Sequence, residues 1–83
     1  MTETFGVCSK EEVEAFYRQV GANVRKFREK KGMSQLDAAL EIGIKSVAFY
    51  SNCENGRYGK HFNLEHLYCL SKCLDVELAV LLA

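Results

Sequence analysis

The sequence predicts a compact all-α bundle of five helices, and three observations support this prediction. The 83 residues include no proline, which would break a helix. Apolar residues recur three and four positions apart, and no segment alternates apolar and polar residues like a half-buried strand. Signals for helix starts and ends recur along the chain. A chain of this length can bury one core, so we expect a single domain, residues 1–83, without strands.

The first helix is predicted to begin after Ser9, because Ser9 and Glu12 have the spacing of a capping box. It is predicted to end at Gly32. Gly21 interrupts the pattern, so the segment is either one long helix or two pieces. We expect residues 1–19 to form an N-terminal helical extension. The apolar positions at helical spacing are Val13, Phe16, Tyr17, Val20, Val24 and Phe27.

Three further residues are predicted to cap helices: Ser34, Ser46 and Asn63. The helix after Ser34 is expected to end at Gly43, and the helix after Ser46 at about Asn55. A short fifth helix is expected over residues 77–82. The helix that follows Asn63 has one apolar face, formed by Leu64, Leu67, Leu70 and Leu74.

The composition also excludes several classes of protein. The longest apolar run, residues 78–83, is far shorter than the roughly 20 residues of a membrane span. No secretory signal is recognisable, so we expect a cytoplasmic protein. Glycine-rich phosphate loops and paired acid–base residues are lacking, so we expect neither an enzyme nor a cofactor or bound metal. In a cytoplasmic chain we expect free thiols at Cys8, Cys53, Cys69 and Cys73.

The charge is unevenly distributed, although 11 basic residues balance 11 acidic ones. Residues 1–17 carry four glutamates and one lysine, whereas residues 18–31 carry six basic residues and one glutamate. Binding of DNA needs local positive charge, not net charge. The distribution is therefore compatible with a DNA-facing surface, and equally with a solvated helix face.

Four short segments follow one another in a recognisable order: Gly32-Met33-Ser34-Gln35, Ala39, Ile42-Gly43-Ile44 and Glu54-Asn55-Gly56. Together they resemble the helix-turn-helix of the Cro/phage-repressor (XRE) family. The resemblance covers about residues 20–82, with the helix-turn-helix over residues 34–55. It implies a bundle of the phage-repressor DNA-binding type. It also implies a transcriptional regulator that binds specific sequences of double-stranded DNA.

The properties of individual residues also support a helix-turn-helix over residues 34–55. Ala39 is small where two helices must cross closely. Gly43 adopts a positive φ at little cost, which a tight interhelical turn requires. Ile42 and Ile44 flank the turn and are expected to enter the core. The following helix then presents one face outward, and a helix of this kind fits the major groove of B-DNA.

The resemblance implies which side chains meet DNA. The expected base-reading residues are Lys45, Ser46, Val47, Ala48, Ser51 and Asn52. The amide of Asn52 could form two hydrogen bonds with adenine, and Val47 or Ala48 could pack on a thymine methyl group. The expected phosphate contacts are Gln35, Asn55, Arg25, Arg28, Arg57 and Lys60.

Other roles are open for some of these residues. Gln35 and Asn55 could serve only as capping residues. Glu54 is expected to be a structural partner of a neighbouring arginine. Tyr50 and Cys53 occupy apolar positions of the family, so we expect them in the core.

The sequence departs from the family pattern in three places. The stretch from Gly43 to Glu54 is one residue longer than usual, and the extra residue is expected near Lys45. The register of the reading residues can therefore shift by one position. Asp75 stands at a helix end where the family often has glycine. Leu36 and Leu40 fall at positions that are usually polar.

Leu36 and Leu40 are four residues apart and share a helix face. They could pack beneath the N-terminal extension, against Phe5 or Phe16. Alternatively, they could form a surface for a partner protein.

One helix-turn-helix makes few base contacts, and specific binding usually combines two half-sites. We therefore expect a homodimer on a palindromic operator. The expected dimer contacts are Leu78, Val80, Leu81 and Leu82, with Phe5 and Val7 as alternatives. The first competing hypothesis is a protein-binding module of antitoxin or adaptor type. The second is a regulator that responds to thiol oxidation or metal through His66, Cys69 and Cys73.

Overall fold

The fold is built around one long helix. A computed structural model describes the backbone of residues 4–83 and the side chains of residues 6–83. Helix α1 (Lys10–Lys30) begins at Ser9, whose Oγ accepts a hydrogen bond from the backbone N–H of Glu12 at 3.1 Å. It runs without a break through Gly21, so the alternative of a single long helix is correct.

The N-terminus contains a small hairpin that the sequence analysis did not predict. Strand β1 (Thr4–Phe5) pairs antiparallel with β2 (Cys8–Ser9), and Phe5 lies opposite Cys8. The expectation of helices without strands was therefore wrong for this segment. Strands of two residues are too short for alternation to be recognised, and Gly6, with φ 68°, permits the tight turn between them.

Four shorter helices complete the bundle: α2 (Gln35–Glu41), α3 (Val47–Asn55), α4 (Leu64–Leu74) and α5 (Leu78–Leu82). The predicted caps are confirmed at all three serine and asparagine positions. Ser34 Oγ accepts from the backbone of Asp37 at 3.0 Å, and Ser46 Oγ accepts from that of Phe49 at 3.1 Å. Asn63 forms a reciprocal capping box with His66. Asp75 ends α4 in the left-handed conformation, with φ 59°.

The core lies where α1 crosses the other helices. Its buried hydrophobic side chains are Val20, Val24, Ala38, Ala39, Ile44, Tyr50, Cys53, Phe62, Leu67, Leu70, Leu74 and Leu81. The prediction that Tyr50 and Cys53 are core residues is thus confirmed. Helix α5 has only five residues, but it is fixed to α1 at its end. There the side-chain amide of Asn23 donates to the carbonyl groups of Leu81 and Ala83, at 3.1 and 2.8 Å.

At Gly21, the backbone of α1 lies directly against that of α3. A Cβ atom on Gly21 would lie 2.3 Å from the carbonyl oxygen of Glu54, which is shorter than any van der Waals contact. The glycine therefore does not interrupt the helix. It permits two helix backbones to touch.

We predict that Gly21→Ala destabilises the protein, although alanine is the better helix former by about 1 kcal/mol. The methyl group meets a backbone atom that cannot rotate away, and overpacking of this kind typically costs about 1–3 kcal/mol. Urea unfolding measures the change. Ala22→Gly at the exposed neighbouring position is the matched control for helix propensity alone. A Gly21→Ala protein as stable as the wild type would contradict the close approach.

Candidate nucleic-acid interface

Helices α2 and α3 are joined by a turn over residues 42–46, as the sequence analysis predicted. Ala38 and Ala39 are fully buried beneath the crossing. Gly43 adopts φ 78°, and the N–H of Ile44 returns to the carbonyl of Ala39 at 2.8 Å. Because Ile44 enters the core beside this turn, the angle between the two helices is fixed.

The two faces of α3 differ sharply. Tyr50, Cys53 and Glu54 are buried against the rest of the bundle. The residues that begin the helix are exposed, from Lys45 to Ala48. Ser51 and Asn52, one turn later, are half-buried. Ser46 caps α3, so four of the residues predicted to read bases follow it within the helix, and Lys45 immediately precedes it.

Phe49 does not belong to the exposed end of α3. It packs partly against the core, and its ring meets that of His66 edge-on, with 6.5 Å between ring centres. The exposed apolar side chains at this end are therefore those of Val47 and Ala48.

A buried carboxylate links α3 to α1. Glu54 is almost fully buried, and Arg28 donates to it from Nε and from Nη2, both at 2.9 Å. The remaining Nη1 of Arg28 donates to the carbonyl of Met33 at 2.8 Å. The prediction that Glu54 pairs with an arginine is confirmed. The expectation that Arg28 contacts a phosphate does not fit this geometry, because its guanidinium is buried and donates to Glu54 and Met33.

Both members of this pair are charged. Burial alone would raise the pKa of Glu54, but hydrogen bonds from Arg28 and Gln35, together with the nearby Tyr50 hydroxyl, lower it below its usual value. The hydrogen bond to Glu54 likewise raises the pKa of Arg28, against the opposing effect of burial. The Tyr50 hydroxyl is buried beside the carboxylate but makes no hydrogen bond of normal geometry. Burial, followed by the nearby carboxylate, raises the pKa of Tyr50.

Three of the predicted phosphate contacts gather around the same carboxylate. Gln35 Nε2 and Arg25 Nε both donate to Glu54 Oε1, at 3.2 and 3.3 Å. Arg25 Nη2 also donates to Asn55 Oδ1. The amide nitrogen of Asn55 donates to the backbone carbonyl and hydroxyl of Ser51, at 2.8 and 3.3 Å. Gln35, Arg25 and Asn55 therefore have structural partners, while about 40% of the Arg25 side chain remains exposed.

A short loop follows α3 and carries the other two predicted phosphate contacts. Gly56 ends α3 in the left-handed conformation, and a 3₁₀ turn covers Arg57–Gly59. Arg57 and Lys60 are both exposed. Sequence reasoning did not single out Tyr58, which is exposed and has φ 57°. The flanking glycines indicate a tight loop, but no sequence signal assigns a positive φ to the tyrosine between them.

Leu36 and Leu40 lie on the outer face of α2, with 51% and 61% of their surfaces exposed. The described part of the N-terminal extension therefore leaves more than half of each side chain in solvent. Phe16 is itself about half exposed. The Phe5 side chain lies outside the described residues.

The residues predicted to form a dimer contact divide into two groups. Leu81 is completely buried in the core, so the expectation that it contacts a second chain was wrong. Leu78 and Leu82 are partly buried, whereas Val80 is exposed. Larger exposed apolar side chains lie on α4, where Leu64 is 71% and Tyr68 is 55% exposed. Val7, at the hairpin turn, is also fully exposed.

The cysteines are free thiols throughout the described chain. Cys53 is buried, and burial raises its pKa to about 11. Cys69 is exposed, and the thiol of Cys73 lies 3.7 Å from the sulfur of Met33. Within residues 6–83, no three His, Cys, Asp or Glu side chains are placed so that they could hold a metal ion. The described residues therefore do not support the metal-responsive hypothesis.

Comparison with known proteins agrees with this geometry. The family model described as "Helix-turn-helix" matches residues 24–81. A crystal structure of the restriction-modification controller protein C.AhdI from Aeromonas hydrophila is similar, with a TM-score of 0.70 and 27% sequence identity. The similarity covers 81% of this chain and 97% of that one. Curated proteins yielded no match. Among the described residues, no helix has the length and apolar character to cross a membrane.

We predict that Glu54→Gln destabilises the fold by about 3–5 kcal/mol, because it leaves the Arg28 guanidinium buried without its counter-charge. Urea unfolding measures the loss. Arg25→Ala is the control, since it removes a partly exposed partner of the same carboxylate and should cost about 1 kcal/mol or less.

The double variant Arg28→Met with Glu54→Leu should recover much of the stability lost in Glu54→Gln, because it buries no charge. If Glu54→Gln were no more damaging than Arg25→Ala, the carboxylate would not hold the helices together.

Proposed function

The chain belongs to the helix-turn-helix family of the Cro/phage-repressor type, and from this membership we propose that it regulates transcription as a homodimer on a palindromic DNA operator. The family assigns DNA binding and transcriptional regulation to the chain, rather than an enzymatic activity. The observation that best supports binding to an operator is that the N-terminal end of α3 is exposed. Its opposite face is fixed to α1 and α2 through Glu54.

We propose that α3 enters the major groove with its N-terminal end leading. Lys45, Ser46, Val47 and Ala48 would then meet base edges, because they are exposed at that end. Asn52 lies one turn after Ala48 on the same face, where its amide can pair with adenine through two hydrogen bonds. Ser51 lies at the border of this face. The Ser46 cap supports this register of the reading residues, which the longer turn left open.

Phosphate contacts are proposed for Gln35 and Arg25 on the basis of their free donors. An amide nitrogen has two hydrogens, and that of Gln35 uses one on Glu54. A guanidinium has five N–H groups, and Arg25 uses Nε on Glu54 and Nη2 on Asn55. The amide of Asn55 faces Ser51, so it contacts a phosphate only by exchanging one of those bonds. Arg57 and Lys60 complete the proposed set, without Arg28.

Selection of bound sequences from a random DNA pool, followed by titration at several salt concentrations, tests DNA binding and half-site symmetry together. Asn52→Ala should relax the base preference at one position of each half-site. Arg57→Ala should weaken binding to all sequences alike. It should also reduce the steepness of the fall of log affinity with log salt by about 1. A symmetric selected site supports a dimer. Failure to enrich any sequence, or equal effects of both variants, would contradict the proposed roles.

For the homodimer we propose a contact surface on α4 and α5. Tyr68 and Leu78 line one open concavity of about 450 Å³, which also includes Val76. Leu64 precedes Tyr68 by one helical turn and so shares its face. The exposed Val80 adds to the apolar area of α5. Leu78, Val80 and Leu82 therefore remain in the proposed dimer contact, whereas the buried Leu81 does not.

We predict that Tyr68→Glu converts the dimer to monomer, because it replaces the exposed ring at the centre of the proposed contact with a charge and leaves the core undisturbed. Sedimentation equilibrium measures the change in mass. Leu36→Glu is the matched control, since it alters an equally exposed apolar side chain on α2. A Tyr68→Glu protein that remains dimeric would exclude the α4–α5 surface, and loss of the dimer in Leu36→Glu would transfer the contact to α2.

A second candidate function is that of a protein-binding module of antitoxin or adaptor type. The exposure of Leu36 and Leu40 favours it, because two adjacent apolar side chains on an outer helix face suit a partner protein. A stable non-self partner that is captured by the wild type and lost by Leu36→Glu, with no DNA bound by either protein, would support this candidate over the regulator.

A further inference from the structure

Tyr58 combines a strained backbone with an exposed ring. Its φ and ψ are 57° and 32°. This is the left-handed region of the backbone, where a bulky residue such as tyrosine costs free energy. Within residues 4–83, the only other non-glycine residue with a positive φ is Asp75. The Tyr58 side chain is 82% exposed.

Contacts within the chain do not offset this strain. In the described part of the molecule, Tyr58 has no side-chain hydrogen bond and no ring contact. Burial of the ring does not contribute either, because most of it lies in solvent. A residue that is costly to its own fold and unsupported by it points to a partner outside the chain.

The loop around Tyr58 is fixed at both ends. Gly56 is the cap of α3, and Phe62 is buried in the core. Between them, His61 stacks on Tyr17 of α1, with 3.7 Å between ring centres and 8° between the planes. The N–H of Lys60 closes the turn on the carbonyl of Arg57 at 2.9 Å. The surrounding structure therefore imposes the conformation of Tyr58 before any ligand binds.

The surroundings of Tyr58 indicate an anionic partner. Exposed Arg57 precedes it, and exposed Lys60 follows two residues later. The loop continues directly from Asn55, the last residue of the proposed recognition helix. A phenol in such a place offers an uncharged O–H donor, a group that commonly binds phosphate oxygens of DNA.

We propose that Tyr58 is a DNA-backbone contact, whose hydroxyl donates a hydrogen bond to a phosphate beside those bound by Arg57 and Lys60. This inference rests on the proposed DNA-binding function. The loop holds the tyrosine in its strained conformation, so that no ordering is needed when DNA binds.

The test compares three variants for stability and for affinity to the selected operator. Tyr58→Asn removes the phenol and relieves the strain, so it should raise the urea midpoint and weaken DNA binding about tenfold. Tyr58→Phe should weaken binding to a similar extent without the gain in stability. Asp75→Gly is the control, because it relieves backbone strain at the other positive φ, at the end of α4. It should raise the urea midpoint without weakening DNA binding.

The salt dependence separates this contact from its basic neighbours. Because the tyrosine hydroxyl is uncharged, Tyr58→Phe should leave the salt dependence of the affinity unchanged. Arg57→Ala, in contrast, should make that dependence less steep. Wild-type affinity in both Tyr58 variants would overturn the inference while leaving the proposed function intact. A lower urea midpoint in Tyr58→Asn would overturn the strain argument. Absence of DNA binding by the wild type would overturn the proposed function and this inference together.

Discussion

The carboxylate of Glu54 is the point on which the bundle depends. It is buried, charged and hydrogen-bonded to side chains from α1 and α2. A buried charge is costly, and it is tolerated only when its partners are placed so that nearly every lone pair is satisfied. Few arrangements of three helices meet that condition. We therefore expect the pair with Arg28 to favour one packing of α1, α2 and α3 among those that would bury the same apolar residues.

The same interaction prepares the proposed DNA-binding surface. Gln35 and Arg25 contact Glu54 on the side that opens to solvent, and Arg25 extends the network to Asn55. Groups with free hydrogen-bond donors are thus held in place before any phosphate arrives. Because they are already ordered, less conformational entropy is lost on binding. The side chain of Glu54 thus connects the stability of the bundle with the proposed recognition surface. Arg28, which was expected to contact DNA, instead holds Glu54 in place from the core.

The sequence predicted most of the helices because their signals are local. Ser34, Ser46 and Asn63 each cap a helix through an atom within a few residues, and Gly43 meets a local requirement of the turn. The errors concern properties set by distant contacts. Arg28 and Leu81 contact residues 26 and 58 positions away in the sequence, and the local pattern does not show which distant partner will cover a side chain. The left-handed Tyr58 results from anchors on both sides of its loop.

Under the proposed mode of DNA binding, the direct approach of α1 to α3 at Gly21 affects how the protein would distinguish operator sequences. With the two backbones in contact and Glu54 joining them, α3 cannot tilt or slide to suit a groove of different width. The adjustment then falls to the double helix, whose cost of bending and twisting depends on its base sequence. Base pairs that no side chain touches, such as those between two half-sites, would then contribute to the preference of this protein through their stiffness.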